Sequence, residues 1–241
     1  MRAETRRQLK QDKFSKTTIE VAEQTFDWSV EHKSQLIVGG IIAAIFIAVG
    51  IAAWYYFQKQ DEKASVDFTK AVQVLDEPIR PAGMPAQPDY PSFASVNERA
   101  TEAHKQFAAV AKNYPHTRAA DFAQYFMGVT SSQMGDYAKA EQELKPVTQY
   151  HNASLSSLGK LALASVYRNT NRTKDAIDIY KELIQSPTPT VAKSTAQVQL
   201  AETYDAAGMK NEAKQTYEQI KKDAPQSEAA QIATSRLQTT Q

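Results

Sequence analysis

The feature that most constrains this chain is one long apolar segment near its start. Residues 36–57 read LIVGGIIAAIFIAVGIAAWYYF, and none of them carries a charge. A helix of about 20 apolar residues crosses a bilayer core roughly 30 Å thick. A cleaved signal peptide is the rival interpretation, but its apolar region would be shorter, about 7 to 15 residues. We therefore predict a retained transmembrane helix over 36–57, with Trp54, Tyr55, Tyr56 and Phe57 at the membrane interface.

The tail before this segment predicts the orientation of the chain. Residues 1–35 are short and carry a basic block: Arg2, Arg6, Arg7, Lys10, Lys13 and Lys16. Short basic tails stay in the cytoplasm, whereas long domains translocate largely regardless of charge. We expect a cytoplasmic N-terminus and an extracytoplasmic domain over 58–241.

The tail also carries a pattern typical of a short amphipathic helix. Thr17 and Glu20 have the spacing of a capping box. Apolar residues follow at helical steps: Ile19, Ala22, Phe26 and Val30. This helix either lies on the membrane surface or simply leads into the anchor, and the sequence favours neither alternative.

The composition argues against several classes of function. The chain holds 28 Lys/Arg and 27 Asp/Glu, so it lacks the excess of basic residues that a nucleic-acid partner calls for. It has no cysteine, which excludes disulfides, thiolate catalysis and cysteine metal sites. Its four histidines stand in unrelated contexts, and no HExxH, GxSxG or glycine-rich phosphate loop occurs. We expect no enzyme activity, no cofactor, no metal and no small-molecule substrate.

A pattern of small and large residues repeats from about residue 94 onward. Small residues recur every 36 or 37 positions, at Ala103, Ala140, Ala176 and Ala213. Four residues after each comes a large one, at Phe107, Leu144, Tyr180 and Tyr217. Residues four apart share one face of a helix, so each small residue lets a second helix approach while the large residue fills the space beside it.

Such helix pairs bury their apolar faces only by stacking. We therefore predict an all-α fold: an N-terminal transmembrane helix, then an α-solenoid of about four helix pairs with a C-terminal capping helix. The solenoid spans 58–241 and is interrupted by a proline-rich loop over 78–93, because five prolines between 78 and 91 exclude a helix there. A helix over 227–238 would close the end of the stack.

These offsets resemble the tetratricopeptide repeat family, over about residues 62–238. The resemblance implies that the first helix of each pair lines a concave, partner-binding face. It places these residues there: Tyr125, Val129, Gln133, Leu161, Ser165, Arg168, Asn169, Val198, Glu202 and Asp205. Some members clamp a peptide carboxylate with a Lys/Asn set, but Val129, Ser165 and Glu202 stand where asparagine would recur. A receptor for a C-terminal carboxylate is therefore disfavoured.

The whole arrangement resembles the bacterial ancillary SecYEG translocon subunit family. The features that carry this resemblance are Phe26-x-Trp28, Glu31-His32-Lys33, the single apolar helix with its aromatic end, and a degenerate repeat domain. It implies a single-pass inner-membrane protein with periplasmic repeats. The implied partners are the SecYEG translocon and a membrane-anchored periplasmic chaperone.

The function expected from these features is that of a non-catalytic, membrane-anchored scaffold that assists protein translocation or periplasmic chaperone networks. Three alternatives stay open. The repeats could form an adaptor of the envelope or cell-division machinery with the same topology. They could also self-associate to regulate a cytoplasmic partner of the basic tail, or serve an enzyme held elsewhere.

Overall fold

The computed structural model describes residues 33–85 and 91–239. The amphipathic helix expected in the tail, with Trp28, lies outside the described residues. The chain divides into two units after Gln58. Within the described ranges the regular structure is helical, and the one β-bridge joins Ile79 to Phe93. The predicted all-α fold is therefore confirmed.

Nine helices form the described part of the chain. They are α1 (Lys33–Asp76), α2 (Val96–Asn113), α3 (Arg118–Gln133), α4 (Tyr137–Val147), α5 (Ala153–Asn169), α6 (Thr173–Gln185), α7 (Lys193–Ala206), α8 (Lys210–Asp223) and α9 (Glu228–Thr239).

The first part of α1 is a candidate membrane span. Among the described residues it is the one helix long and apolar enough to cross a bilayer, with a mean hydropathy of 2.8 over its most apolar stretch. Its large apolar side chains are exposed, for example Phe46 at 73% and Trp54 at 66%. Exposed apolar surface of this extent is expected where lipid is the solvent.

From Lys59 onward the helices form a stack in which each one from α2 to α9 packs on the next. The pairs are α3 with α4, α5 with α6, and α7 with α8, and α9 follows them. The last part of α1 pairs with α2, since Phe68 lies 5.7 Å from Phe107 between ring centroids. Four pairs and a closing helix are the predicted arrangement.

The repeated small and large residues form the core of the stack, as predicted. Ala103, Ala140 and Ala176 are fully buried, and Ala213 is buried beside them. The large residues four positions later are buried too: Phe107, Leu144, Tyr180 and Tyr217. Gly128 of α3 lies against the Leu144 side chain and the Ala140 carbonyl, so the close approach within this pair depends on both small residues.

The turn within each of the last three pairs has a left-handed residue at one repeated position. Gly135 (φ 80°), Asn171 (φ 60°) and Gly208 (φ 74°) end the first helices of the three pairs after α2. Glycine adopts this conformation without strain, and asparagine is among the side chains that best tolerate it. The local sequence thus sets where each pair turns.

The two ends of the proline-rich loop are held together at the start of α2. The Arg80 N–H donates to the Phe93 carbonyl (2.9 Å), and the Phe93 N–H donates to the Pro78 carbonyl (3.0 Å). The Arg99 guanidinium of α2 donates to the Glu77 carbonyl at 2.8 Å. Residues 77–80 and 92–93 therefore form a closed base beneath the loop.

Candidate protein-interaction surface

The first helices of successive pairs share one face of the stack. Helix α3 contacts α5, and α7 contacts α9, in addition to the contacts within pairs. Helices α5 and α7 are joined by the Arg168 guanidinium, which donates to the Gln199 side-chain carbonyl at 3.1 Å. We call the surface formed by α3, α5, α7 and α9 the first-helix face.

A row of charged residues crosses this face from α5 to α9. Glu202 of α7 lies 3.7 Å from Arg168 of α5 and 3.6 Å from Arg236 of α9. About a quarter of the Arg168 and Glu202 side chains is exposed. Ion pairs so accessible to water add little to stability. The same exposure means that a bound polypeptide can reach these polar groups.

Two tyrosine hydroxyls lie buried near this row. Tyr180 and Tyr217 have hydroxyl groups with no hydrogen-bond partner among the described residues. Burial raises the pKa of both, and it raises the pKa of Tyr217 to about 12, with the charges of Asp205 and Glu202 adding to the effect. Both phenols thus stay neutral further into the alkaline range than an exposed tyrosine does.

The structure brings together only part of the partner-binding set expected from the sequence. Gln133 and Asn169 are exposed, Val129 and Ser165 are half-buried, and Asp205 pairs with Lys210 at 3.1 Å.

The apolar members of the set point largely into the protein. Tyr125 and Leu161 pack against the core. Val198 is only 7% exposed, so little of its side chain is free for a partner.

Two residues of the row were missed by sequence reasoning. Gln199 and Arg236 complete the contacts of Arg168 and Glu202. Arg236 could have been found by treating α9 as the first helix of a further pair, since such a helix adds to the same face.

A second polar cluster lies inside the stack, between α2, α3 and α4. The Glu143 carboxylate of α4 lies 2.9 Å from Nε2 of His104 on α2. It also accepts a hydrogen bond from the Ser131 hydroxyl of α3 at 2.6 Å. The serine and histidine contact opposite oxygens of the carboxylate and not each other, so the cluster lacks the direct base-to-nucleophile contact of a hydrolase triad. Its evident effect is to join three helices.

A third polar cluster joins one pair to the next, from α4 to α5 and the start of α6. Glu141 of α4 accepts hydrogen bonds from the Tyr167 hydroxyl of α5 (3.2 Å) and from the Arg172 guanidinium at the start of α6 (2.9 Å). The guanidinium also lies 3.9 Å above the Tyr167 ring. Lys145 foremost, and then Arg172, hold the pKa of Glu141 below its usual value.

The arrangement of paired helices, repeated packing residues and a shared first-helix face defines an α-solenoid of the kind that binds other proteins. The family model described as a tetratricopeptide repeat-like domain matches residues 27–239, and the chain belongs to that family. No curated protein and no solved structure matches the chain. Domains of this family are typical of protein-interaction scaffolds and are typically non-catalytic.

Proposed function

We propose that this protein is a membrane-anchored, non-catalytic scaffold that binds other proteins through its first-helix face. The observation that carries the proposal is the double role of α1. Its first part is the candidate membrane span, and its last part contributes Ala64, Phe68 and Ala71 to the core of the first repeat. A chain built in this way would hold its repeats at a membrane.

The chemistry of the first-helix face supports a protein ligand. The row of Arg168, Gln199, Glu202 and Arg236 presents both hydrogen-bond donors and acceptors. A polypeptide also carries both kinds of group along its backbone. The mixed charge of the row suits an extended chain better than a strongly anionic ligand.

We place this scaffold in the bacterial inner membrane, with the N-terminus in the cytoplasm and residues 58–241 in the periplasm. Its partners are the SecYEG translocon and a membrane-anchored periplasmic chaperone, and its role is to hold these components near emerging chains. The basic tail and the family resemblance of the whole arrangement are the support for this assignment.

Cysteine chemistry tests the proposal directly, because the chain contains no cysteine of its own. Single cysteines at Gln133, Arg168 and Glu202 are labelled in intact cells with a membrane-impermeant thiol reagent, and separate samples are crosslinked. We expect labelling without lysis and crosslinks to translocon or chaperone subunits. Protection of all three positions until lysis would overturn the topology.

Two control positions make the result specific. A cysteine at Ser15 in the tail should be labelled only after the membrane is permeabilised. A cysteine at Lys181, exposed on α6 away from the first-helix face, should be labelled in intact cells but give few crosslinks. Equal crosslinking from Lys181 and from Arg168 would contradict the assignment of this face.

A further inference from the structure

A cavity of about 470 Å³ opens between α8 and α9, next to Asp205 of α7. Its walls include Lys214, Tyr217 and Lys221 of α8 and Leu237 of α9. Helix α9 is the last helix among the described residues, and it packs on α8 and α7. The earlier first helices α5 and α7 each contact a second helix on both sides along the chain. The α8–α9 groove is therefore the place in the stack where a further second helix would be added.

The interior pair α3–α4 shows which contacts the α8–α9 groove would make with a further helix. Ala140 and Ala213 occupy the same repeat position, so Glu141 and Lys214 correspond as well. In the interior, the Glu141 carboxylate binds the next pair through Tyr167 and Arg172. The same position is His104 in the first pair, where it contacts Glu143 of the next pair, and Ile177 in the third, so two of the three interior copies carry a polar contact between pairs. At the α8–α9 groove Lys214 stands there, with a charge opposite to that of Glu141.

The groove has basic groups available for such a contact. Lys214 and Lys221 are exposed and lie seven residues apart, on one face of α8. Neither forms an ion pair within the described residues, whereas Lys210 already pairs with Asp205. Glu218 is the one carboxylate on this stretch of α8, so the two lysines outnumber it.

The groove also has an apolar floor. Ala213 is 1% exposed and lies beneath the cavity, with Leu237 beside it. Tyr217 lines the same cavity, while its hydroxyl is buried near Asp205. A ligand that presents small apolar side chains would match this floor.

We propose that the α8–α9 groove binds an amphipathic helix of a partner protein, with carboxylates of that helix facing Lys214 and Lys221. The bound helix adds to the stack as the second helix of a further pair. The site acts through Lys214 and Lys221, which are not members of the charged row, so it does not depend on the proposed function of that row.

A synthetic helical peptide is the probe that tests this proposal. The peptide has about 16 residues, near the length at which isolated helices begin to persist in water. One face carries alanine and leucine with two glutamates at i and i+7 spacing, and a matched peptide carries lysines in place of the glutamates. Each peptide is fluorescently labelled and titrated by anisotropy against the full chain in nanodiscs. We expect the acidic peptide to bind and the basic one to bind much more weakly.

Charge reversal at the groove gives the matched variant. In Lys214→Glu/Lys221→Glu the acidic peptide should bind about tenfold more weakly or worse, and the basic peptide should now bind. Both lysines are exposed, so the variant should fold. The control Lys174→Glu/Lys222→Glu changes net charge equally at exposed positions outside the cavity, and it should bind as the wild type does.

Tethering each peptide to the protein would reveal binding that is too weak to detect with the free peptide. Each peptide is fused after Gln241 by a flexible linker, which gives an effective concentration in the millimolar range. The acidic fusion should raise Tm in the wild type but not in the reversal variant.

Three results would overturn the proposal. The first is equal binding of the acidic peptide to the wild type and the reversal variant. The second is no binding of either peptide, free or tethered. The third is a wild-type dimer that the reversal variant dissolves in sedimentation, because the occupant would then be a second copy. Crosslinking from Arg168 and Glu202 should be the same in the reversal variant, which separates this test from that of the proposed function.

Discussion

At the residue scale, the absence of one side chain sets the distance between α3 and α4. A Cβ atom at Gly128 would clash with Leu144, with its Cδ2 atom at 2.7 Å. Leu144 is fully buried and has little room to move. Gly128 therefore acts through the contact it permits and not through backbone freedom.

We predict that Gly128→Ala lowers Tm. Helix propensity alone would stabilise the chain by up to about 1 kcal/mol, but overpacking of the core costs about 1 to 3 kcal/mol and should dominate. Thermal unfolding by circular dichroism of the full chain in detergent measures the change. The double variant Gly128→Ala/Leu144→Ala should be no less stable than Leu144→Ala alone, because the clash is then removed. A rise in Tm for Gly128→Ala would contradict the packing.

A second residue-scale prediction concerns the buried Tyr217 hydroxyl. The unfolded phenol releases its proton near pH 10, whereas the folded one holds it to about pH 12. The neutral phenol thus favours the fold fully below pH 10, and stability is lost as the pH rises from about 10 to 12. In Tyr217→Phe this part of the alkaline loss should vanish.

Urea midpoints at about pH 9 and about pH 11 measure the effect. At the lower pH the variant should match or slightly exceed the wild type, since the hydroxyl it removes has no hydrogen-bond partner among the described residues. The same alkaline loss in both proteins would show that Tyr217 is not held neutral by the fold.

At the element scale, α2, α3 and α4 are joined by one carboxylate as well as by apolar packing. His104 and Ser131 contact the two carboxylate oxygens of Glu143. The Gln124 side-chain amide of α3 donates to the backbone carbonyl of Glu143 at 3.0 Å. These contacts are between residues on different helices, so they fix the position of α4 against both neighbours. Buried polar contacts of this kind are sensitive to loss of one partner.

We predict that Glu143→Ala destabilises the protein by about 2 to 4 kcal/mol. The substitution leaves the buried Ser131 hydroxyl and the His104 ring without their partner. Chemical denaturation gives the change in the free energy of unfolding. Glu182→Ala is the control: its partner is Lys160 at 2.6 Å, but the carboxylate is 56% exposed, so about 0.5 kcal/mol or less is expected. Equal effects of the two substitutions would refute the role of the buried cluster.

At the scale of the whole molecule, the repeat domain depends on contacts between neighbours along the stack. Helix α9 contacts α7 and α8 and buries Ala230 and Ala233 in the stack. Tyr217 and Ile220 of α8 belong to the same buried cluster as Ala233. The stability of such a stack is close to a sum over units and their interfaces.

We predict that removal of residues 228–241 lowers Tm by about 10 °C or more, because several kcal/mol of apolar burial is lost. Hydrogen exchange should rise most in α7 and α8 and least in α2 and α3. Ala233→Asp should reproduce the loss without truncation, whereas Ser235→Asp, exposed on the same helix, should not. An unchanged Tm in the truncated chain would mean that α9 does not close the core.

The sequence by itself determined the architecture of this protein. The apolar run, the spacing of Ala140, Ala176 and Ala213, and the turns at Gly135 and Gly208 are local or periodic signals, and each acts within one or two helices. Local signals are readable because helix period and turn chemistry depend on near neighbours. The large residues were correctly placed in the core for the same reason.

Only the tertiary structure decided the polar contacts. Arg168 meets Glu202, and His104 meets Glu143, across 34 and 39 residues of sequence. Whether such residues meet depends on how two helices cross and rotate, which periodicity does not specify. The same rotation turned Val198 inward, although the family resemblance had placed it on the partner-binding face. Spacing defines which residues share a helix face, but packing between helices decides which of them contact each other and which contact solvent.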